Sequence, residues 1–326
     1  MGRFPYKKSA TVFCCAFLFL IESCSTTKDL SPKETNTFYS FTPETRVLIN
    51  APKEIDRSKP VMLVLYALPN GNTIEMTAGK KLKKGDDWHF DIQHIAAQIR
   101  FLRNTLKDKT IVVAYLESAQ KSWPAWRKKQ EYKDSETARI VDYVRFETGN
   151  PSSVILSGHS GGGSFITGFI NAYDSIPRYI SRIVYLDANY SYEDSLDHGK
   201  KLFQWLRADS NHNLSVIAYD DREIMLNGKK VVSPTGGTFR ATQRMLQYLR
   251  EVTDIKSFRD STITQYECWH NRARFIVHTN PDTLILHTVL VERNGLIHSI
   301  LFNTPYEQRD YTFFGERAYS KFISGE

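Results

Sequence analysis

The sequence has few cysteines, only 4 in 326 residues, and three of them lie within the first 24 positions. A chain that keeps a single internal thiol, Cys268, has no disulfide framework, and no Cys/His spacing typical of a zinc site occurs. Internal repeats, low-complexity stretches and, beyond the N-terminus, runs long enough to cross a membrane are also missing. These absences predict a globular domain with no metal site.

The charge balance is mildly basic, with 43 Lys and Arg against 36 Asp and Glu. The basic residues are scattered, and Asp86 and Asp87 offset the one cluster at residues 80–84. This pattern is typical of a solvated surface, so we expect no nucleic-acid partner. A hydrophobic fraction of 41% is enough to bury the core of one large α/β domain.

The N-terminus has the pattern of an export signal. Three basic residues precede the apolar run Ala10–Ile21, which is too short to span a bilayer. The tetrapeptide Ile21–Cys24 then resembles a bacterial lipobox, whose cysteine is lipidated and becomes the first residue of the mature protein. We therefore expect a signal peptide over residues 1–23, a lipid on Cys24 and a polar tether over residues 24–45. This predicts an exported protein, anchored to a membrane of the bacterial cell envelope.

The remaining chain alternates between two patterns. Continuous β-rich apolar runs predict strands buried on both faces, and the segments between them have the apolar period of helices. This alternation predicts one domain over residues 46–326, a doubly wound, mostly parallel sheet with helices on both faces. The strand-like runs are at residues 46–50, 61–68, 111–116, 154–156, 183–186 and 214–219.

The C-terminal part has a different pattern. Phe275–His278, Thr283–Glu292 and Leu296–Phe302 look strand-like. The last two flank Asn294 and Gly295, and Asn-Gly between apolar runs is a strong hairpin signal. We expect a C-terminal antiparallel hairpin there, followed by a helix near residues 316–323.

The segment with the clearest chemistry is Gly158–Gly162, a G-x-S-x-G motif. It follows the apolar strand at 154–156 and precedes an apolar helical pattern. This is the context of a nucleophile elbow, a strained turn that raises its serine, here Ser160, above the sheet edge. The start of the helix supplies backbone N–H groups that can stabilise a developing oxyanion.

With these residues the chain resembles the α/β-hydrolase superfamily, specifically its G-x-S-x-G serine esterases and lipases. The resemblance implies that Ser160 is the nucleophile, that the Gly161 N–H forms one half of the oxyanion hole, and that no cofactor is needed. It places the other half after an earlier central strand, where Ala67 or Leu68 would donate. Of these two, Leu68 is the residue we assign.

The resemblance also implies the chain order serine, acid, histidine, which leaves six histidines as candidate bases. Of these we assign His298, which follows the predicted Asn294–Gly295 turn, with His287 as the second choice. The other four are His198, His212, His270 and His278.

The acid has two possible positions. Asp187 ends an apolar strand directly after the nucleophile strand, as in some lipases, whereas Asp220 or Asp221 ends the following strand, as in most of the family. Asp187 is favoured, because the Asp-Asp-Arg-Glu run at 220–223 reads as a solvated loop.

The resemblance implies a serine hydrolase that cleaves an acyl ester through an acyl-enzyme on Ser160. Aromatic residues near predicted strand and helix ends are candidates either to line an acyl or sugar cleft or to pack loops onto the domain. The first interpretation, together with export, suggests a glycan ester as substrate. These aromatic residues are Trp88, Trp123, Trp126, Tyr190 and Tyr192. Two alternatives stay open: an amidase or peptidase with the same triad, and a non-catalytic binding lipoprotein.

Overall fold

The computed structural model describes residues 33–41, 43–56 and 58–325. The predicted signal peptide, the predicted lipidation site Cys24 and the first part of the predicted tether lie outside these ranges. Within them, no helix has the length and apolar character needed to cross a membrane. The same residues contain no group of three or more His, Cys, Asp or Glu side chains placed to hold a metal ion.

A ten-stranded sheet runs through the centre of the domain, in the order β1-β2-β4-β3-β5-β6-β7-β12-β11-β10. Its six central strands, from β4 to β12, are parallel to one another. The two strands at each edge pair antiparallel, and β8 and β9 form a separate small hairpin. The strands are β1 Glu34–Phe41, β2 Thr45–Pro52, β3 Val61–Ala67, β4 Thr110–Ser118, β5 Ser153–His159, β6 Ile180–Leu186, β7 Asn213–Tyr219, β8 Met225–Leu226, β9 Lys229–Lys230, β10 Ile255–Arg259, β11 Ile263–Cys268 and β12 Ala273–His278.

Helices cover both faces of this sheet, as a doubly wound fold requires. Along β3, Leu63 and Leu65 pack into one core, with α3 to α7, and Val64 and Tyr66 pack into the other, with α1, α2, α8 and α9. Because both faces are buried, the central strands are predominantly apolar. The helices are α1 Ile74–Ala78, α2 Ile95–Thr105, α3 Trp123–Lys129, α4 Lys133–Glu147, α5 Gly162–Asn171, α6 His198–Ala208, α7 Thr238–Val252, α8 Val289–Glu292 and α9 Gly295–Leu301.

The parallel sheet, the helices on both faces and the strand–elbow–helix unit at its centre are those of an α/β-hydrolase fold. The sheet also ends in antiparallel strands, but β10, β11 and β12 form them, not residues 283–302. Those residues contain α8 and α9. Asn294 has the left-handed backbone (φ 68°) that a type I′ turn also needs, but Gly295 does not have the positive φ that such a turn requires and is the first residue of α9. The Asn294 Nδ2 donates to the carbonyls of Thr312 and Glu316, at 2.8 and 2.7 Å. The predicted helix near 316–323 is only the short 3-10 turn Ser320–Phe322.

The described domain begins earlier than predicted, because β1 lies inside the segment assigned to the tether. Glu34, its first residue, forms ion pairs with Arg100 at 2.9 Å and Arg103 at 2.6 Å. Both arginines belong to α2, so the start of β1 is fixed to the body of the domain.

Candidate active site

The nucleophile elbow lies between β5 and α5. Ser160 has a positive φ of 52°, which is costly for a residue with a Cβ and raises its side chain above the sheet edge. The flanking glycines permit the turn. A Cβ on Gly158 would lie 2.9 Å from the carbonyl carbon of Gly162, and a Cβ on Gly162 would lie 2.2 Å from the backbone oxygen of Ala67. At these glycines, the backbones of β5, α5 and β3 lie closer together than a side chain at either position would allow.

The histidine beside the elbow is His287, in the loop after β12. His287 Nδ1 lies 2.5 Å from Asp187 Oδ2, and its backbone oxygen accepts a hydrogen bond from His159 Nε2 at 3.1 Å. The Tyr190 hydroxyl lies 3.5 Å from His287 Nδ1, and Tyr190 lines the same cavity as Ser160. The structure therefore brings Ser160, Asp187 and His287 into one site.

The assignment of His298 as the base is corrected by this arrangement. His298 is part of α9 and only 2% exposed. Its Nδ1 lies 3.1 Å from the Tyr311 hydroxyl, and its ring stacks on Phe313 with centroids 4.8 Å apart. Burial lowers the pKa of His298 to about 3, so the imidazole stays neutral and is a poor proton acceptor near neutral pH. His298 is a core residue.

Asp187 stands at the end of β6, is 1% exposed and also has a left-handed backbone (φ 46°). Asp220 instead forms an ion pair with Arg222 at 2.6 Å. Of the carboxylates weighed from the sequence, Asp187 is the one in contact with a histidine.

Asp221 lies directly behind the site rather than in a solvated loop, since it is only 3% exposed. The Thr238 hydroxyl donates to Asp187 Oδ1 and lies 3.3 Å from Asp221 Oδ2, which also accepts the Thr238 N–H at 2.7 Å. Burial, and then the charge of Asp187, raises the pKa of Asp221 to about 6. Two buried carboxyl groups thus share one threonine.

The assignment of Leu68 to the oxyanion hole is also corrected. Its N–H donates to the Leu116 carbonyl at 3.1 Å, so it is already used between β3 and β4. Pro69 has no N–H, and the Gly71 N–H donates to a backbone carbonyl at 2.8 Å. Asn70 is the residue of this turn that faces the nucleophile.

The Asn70 side chain lies against the backbone of Gly161, because a Cβ on that glycine would stand 2.0 Å from Asn70 Oδ1. A cavity of about 350 Å³ opens at this point, above Ser160. Asn70 and Gly161 line this cavity together, so the side-chain NH₂ group of Asn70 and the Gly161 N–H are the two candidate donors to a carbonyl oxygen bound there. The cavity is lined by Asn70, Pro124, Ser160, Gly161, Ser164, Tyr190 and Ser191.

Of the aromatic residues proposed for the cleft, only Tyr190 lines this cavity. Trp123 and Trp126 are 1% and 0% exposed and pack in the core, and Tyr192 is 5% exposed. Trp88 is 63% exposed and stacks on His89.

Comparison with known proteins adds structural neighbours only. No family model and no curated protein sequence matches the chain. Among solved structures, a thermostable esterase matches with a TM-score of 0.45 and 12% identity over 76% of this chain, which spans 55% of that esterase. Acetyl xylan esterase from Aspergillus awamori matches with a TM-score of 0.45 and 12% identity over 75% of this chain and 92% of its own. Poly(aspartic acid) hydrolase-1 from Sphingomonas sp. KT-1 matches with a TM-score of 0.42 and 15% identity over 68% of this chain and 86% of its own. At these scores the neighbours carry no argument about substrate.

Proposed function

We propose that this protein is a serine hydrolase that cleaves a carboxylic ester through an acyl-enzyme on Ser160. The observation that carries the proposal is the strained Ser160 next to a histidine whose Nδ1 is held by a buried carboxylate. A serine gains nucleophilic strength only when a neighbouring base takes its proton, and that base needs a third group to orient it.

In the proposed reaction, Ser160 Oγ attacks the ester carbonyl carbon and its proton passes to His287 Nε2, because Asp187 occupies Nδ1. The charge on the carbonyl oxygen is met by the Gly161 N–H and the Asn70 amide. The imidazolium then gives its proton to the leaving alcohol. A water, deprotonated by the same nitrogen, attacks the acyl-enzyme and releases the acid and free Ser160.

The test is Ser160→Ala with a fluorophosphonate that labels activated serines. We expect neither labelling nor turnover of 4-nitrophenyl acetate, with an unfolding temperature at or above that of the parent protein. Ser195→Ala, in the exposed 3-10 turn Asp194–Leu196, is the matched control and should label normally. A folded Ser160→Ala protein that is still labelled at an equal rate would show that another residue is the nucleophile. A comparison of matched esters and amides then separates an esterase from an amidase.

We also propose that the protein is exported and held at a membrane by a lipid on Cys24. This rests on the basic and apolar N-terminal pattern and the lipobox-like tetrapeptide. If Cys24 is lipidated, we expect labelling by a fatty-acid analogue. We also expect partition into the detergent phase, provided that the lipid carries more than one acyl chain, as stable attachment requires. Cys24→Ala should abolish both, whereas replacement of the buried Cys268 by Ala should not. Unchanged partition of the Cys24→Ala protein would refute the lipid anchor.

A further inference from the structure

A second cavity, of about 640 Å³, adjoins the one above Ser160. The two share Tyr190 and Ser191 as lining residues, so the second cavity is the neighbouring space for the part of a substrate that lies beyond an ester at Ser160. Because its lining includes several hydrogen-bond donors, we call this second cavity the donor groove. It is lined by Arg127, Lys133, Asp134, Thr167, Asn171, Tyr190, Ser191, Glu193, Leu196 and Lys201.

Positive charge exceeds negative charge in the donor groove. Arg127 and Asp134 form an ion pair and neutralise each other. Lys133 and Lys201 then face a single remaining carboxylate, that of Glu193. The Lys201 ammonium contacts a backbone carbonyl at 3.3 Å, which leaves its other N–H donors for a ligand.

The neutral groups of the donor groove add a further donor. His198, buried behind its wall, accepts the Glu193 N–H on Nδ1 at 3.0 Å, so Nε2 carries the proton and donates to Asn171 Oδ1 at 2.7 Å. Burial lowers the pKa of His198 to about 4, which keeps this ring neutral. The oxygen of Asn171 is therefore used, and its NH₂ group is the part left for a ligand.

We infer that the donor groove binds a hydrophilic, carboxylate-bearing part of the ester substrate. A fatty acyl chain there would strip water from two lysines and offer them no partner, at a large energetic cost. A carboxylate with neighbouring hydroxyls satisfies the lysines and the Asn171 amide together. This inference rests on the proposed function, because it assumes that the ester carbonyl sits at Ser160.

Two pairs of esters test it, one for each side of the ester bond. On the acyl side, 4-nitrophenyl hydrogen glutarate is compared with 4-nitrophenyl valerate. On the alcohol side, 4-acetoxybenzoate is compared with its methyl ester. The readout is the ratio of kcat/KM for the charged member to that for the neutral member. Partly exposed ion pairs contribute about two- to fivefold each. We expect Lys133→Gln with Lys201→Gln to lower the ratio about tenfold in at least one pair.

The matched control is Lys200→Gln, an exposed lysine beside Lys201 that does not line the groove. It should leave both ratios unchanged. Ratios unchanged in the double variant, or lowered equally by Lys200→Gln, would overturn the inference. If the parent protein hydrolyses none of the four esters, the proposed function fails instead. In that case, carboxylate binding by the donor groove is tested separately, by calorimetric titration of the Ser160→Ala protein with 4-acetoxybenzoate. If adding the Lys133→Gln and Lys201→Gln substitutions does not weaken this binding, the inference about the donor groove is overturned.

Discussion

The choice of base can be decided by two matched substitutions, His287→Gln and His298→Gln. Both remove an imidazole from the C-terminal third of the chain, and glutamine keeps polar atoms in its place. If His287 is the base, its loss removes proton transfer in both halves of the reaction. Loss of this group in serine hydrolases lowers kcat by roughly 10⁴ to 10⁶, which is about 5 to 8 kcal/mol of transition-state stabilisation.

The effects on folding should be reversed. The His287 side chain is 26% exposed and contacts mainly the site itself, so His287→Gln should change the free energy of unfolding by less than about 1 kcal/mol. His298 is buried, contacts Tyr311 and stacks on Phe313. His298→Gln should therefore cost about 1 to 3 kcal/mol, while the folded fraction keeps kcat within a few-fold of the parent value.

The assay is the initial rate with saturating 4-nitrophenyl acetate, divided by the concentration of folded protein measured by circular dichroism. Urea unfolding of each variant gives the stability change. The reasoning is refuted if the folded His298→Gln protein loses kcat by 10³ or more while His287→Gln stays within tenfold. In that case the loop after β12 would not carry the base.

Three further predictions concern the groups around this histidine. Asp187→Asn should lower kcat by roughly 10⁴ and Asp220→Asn by less than tenfold; the opposite order in steady-state kinetics would move the acid to the later strand. The pKa of Asp221 is raised to about 6 in the folded state, so its charged form opposes folding. This destabilisation grows as the pH rises from about 4 through 6. Asp221→Asn should thus raise the free energy of unfolding by about 2 kcal/mol at pH 8 and by little at pH 4. An equal gain at both pH values in urea titrations would contradict the raised pKa. Asn70→Ala should lower kcat about 10²- to 10³-fold with little change in KM; a change in KM alone would show that Asn70 only binds substrate.

The centre of the fold was predictable because its signals are local. A strand covered on both faces is expected to be a nearly continuous apolar run, and the run at 61–68 has this property over β3. The C-terminal part of the fold was not predictable, because the β-branched residues in 283–302 look strand-like when taken alone. Helix α9 forms there because Leu296, Ile297 and Ile300 together pack into one core, and the Asn294 side chain bonds to distant carbonyls.

Some residues of the candidate site were likewise predictable from the sequence, and others were not. The elbow at Ser160 is encoded by the five-residue motif together with the strand and helix patterns on either side of it, so its position follows from a short local segment. His287 lies 100 residues from Asp187 along the chain, and no local pattern distinguishes it from His298. The assignment of Leu68 to the oxyanion hole was wrong for a related reason, because the carbonyl that accepts its N–H is on a neighbouring strand. Partners set by strand order become visible only when the sheet is assembled.

The left-handed backbone at Ser160 and Asp187 (φ 52° and 46°) also affects how this chain can evolve. Each costs folding about 1 kcal/mol or more relative to glycine, which accepts this conformation freely. A glycine at position 160 would therefore give a more stable and completely inactive protein. In a mutant library sorted for thermal resistance alone, such inactive variants should accumulate, whereas sorting for turnover removes them. Enrichment of glycine at these two positions would thus distinguish selection for stability from selection for catalysis.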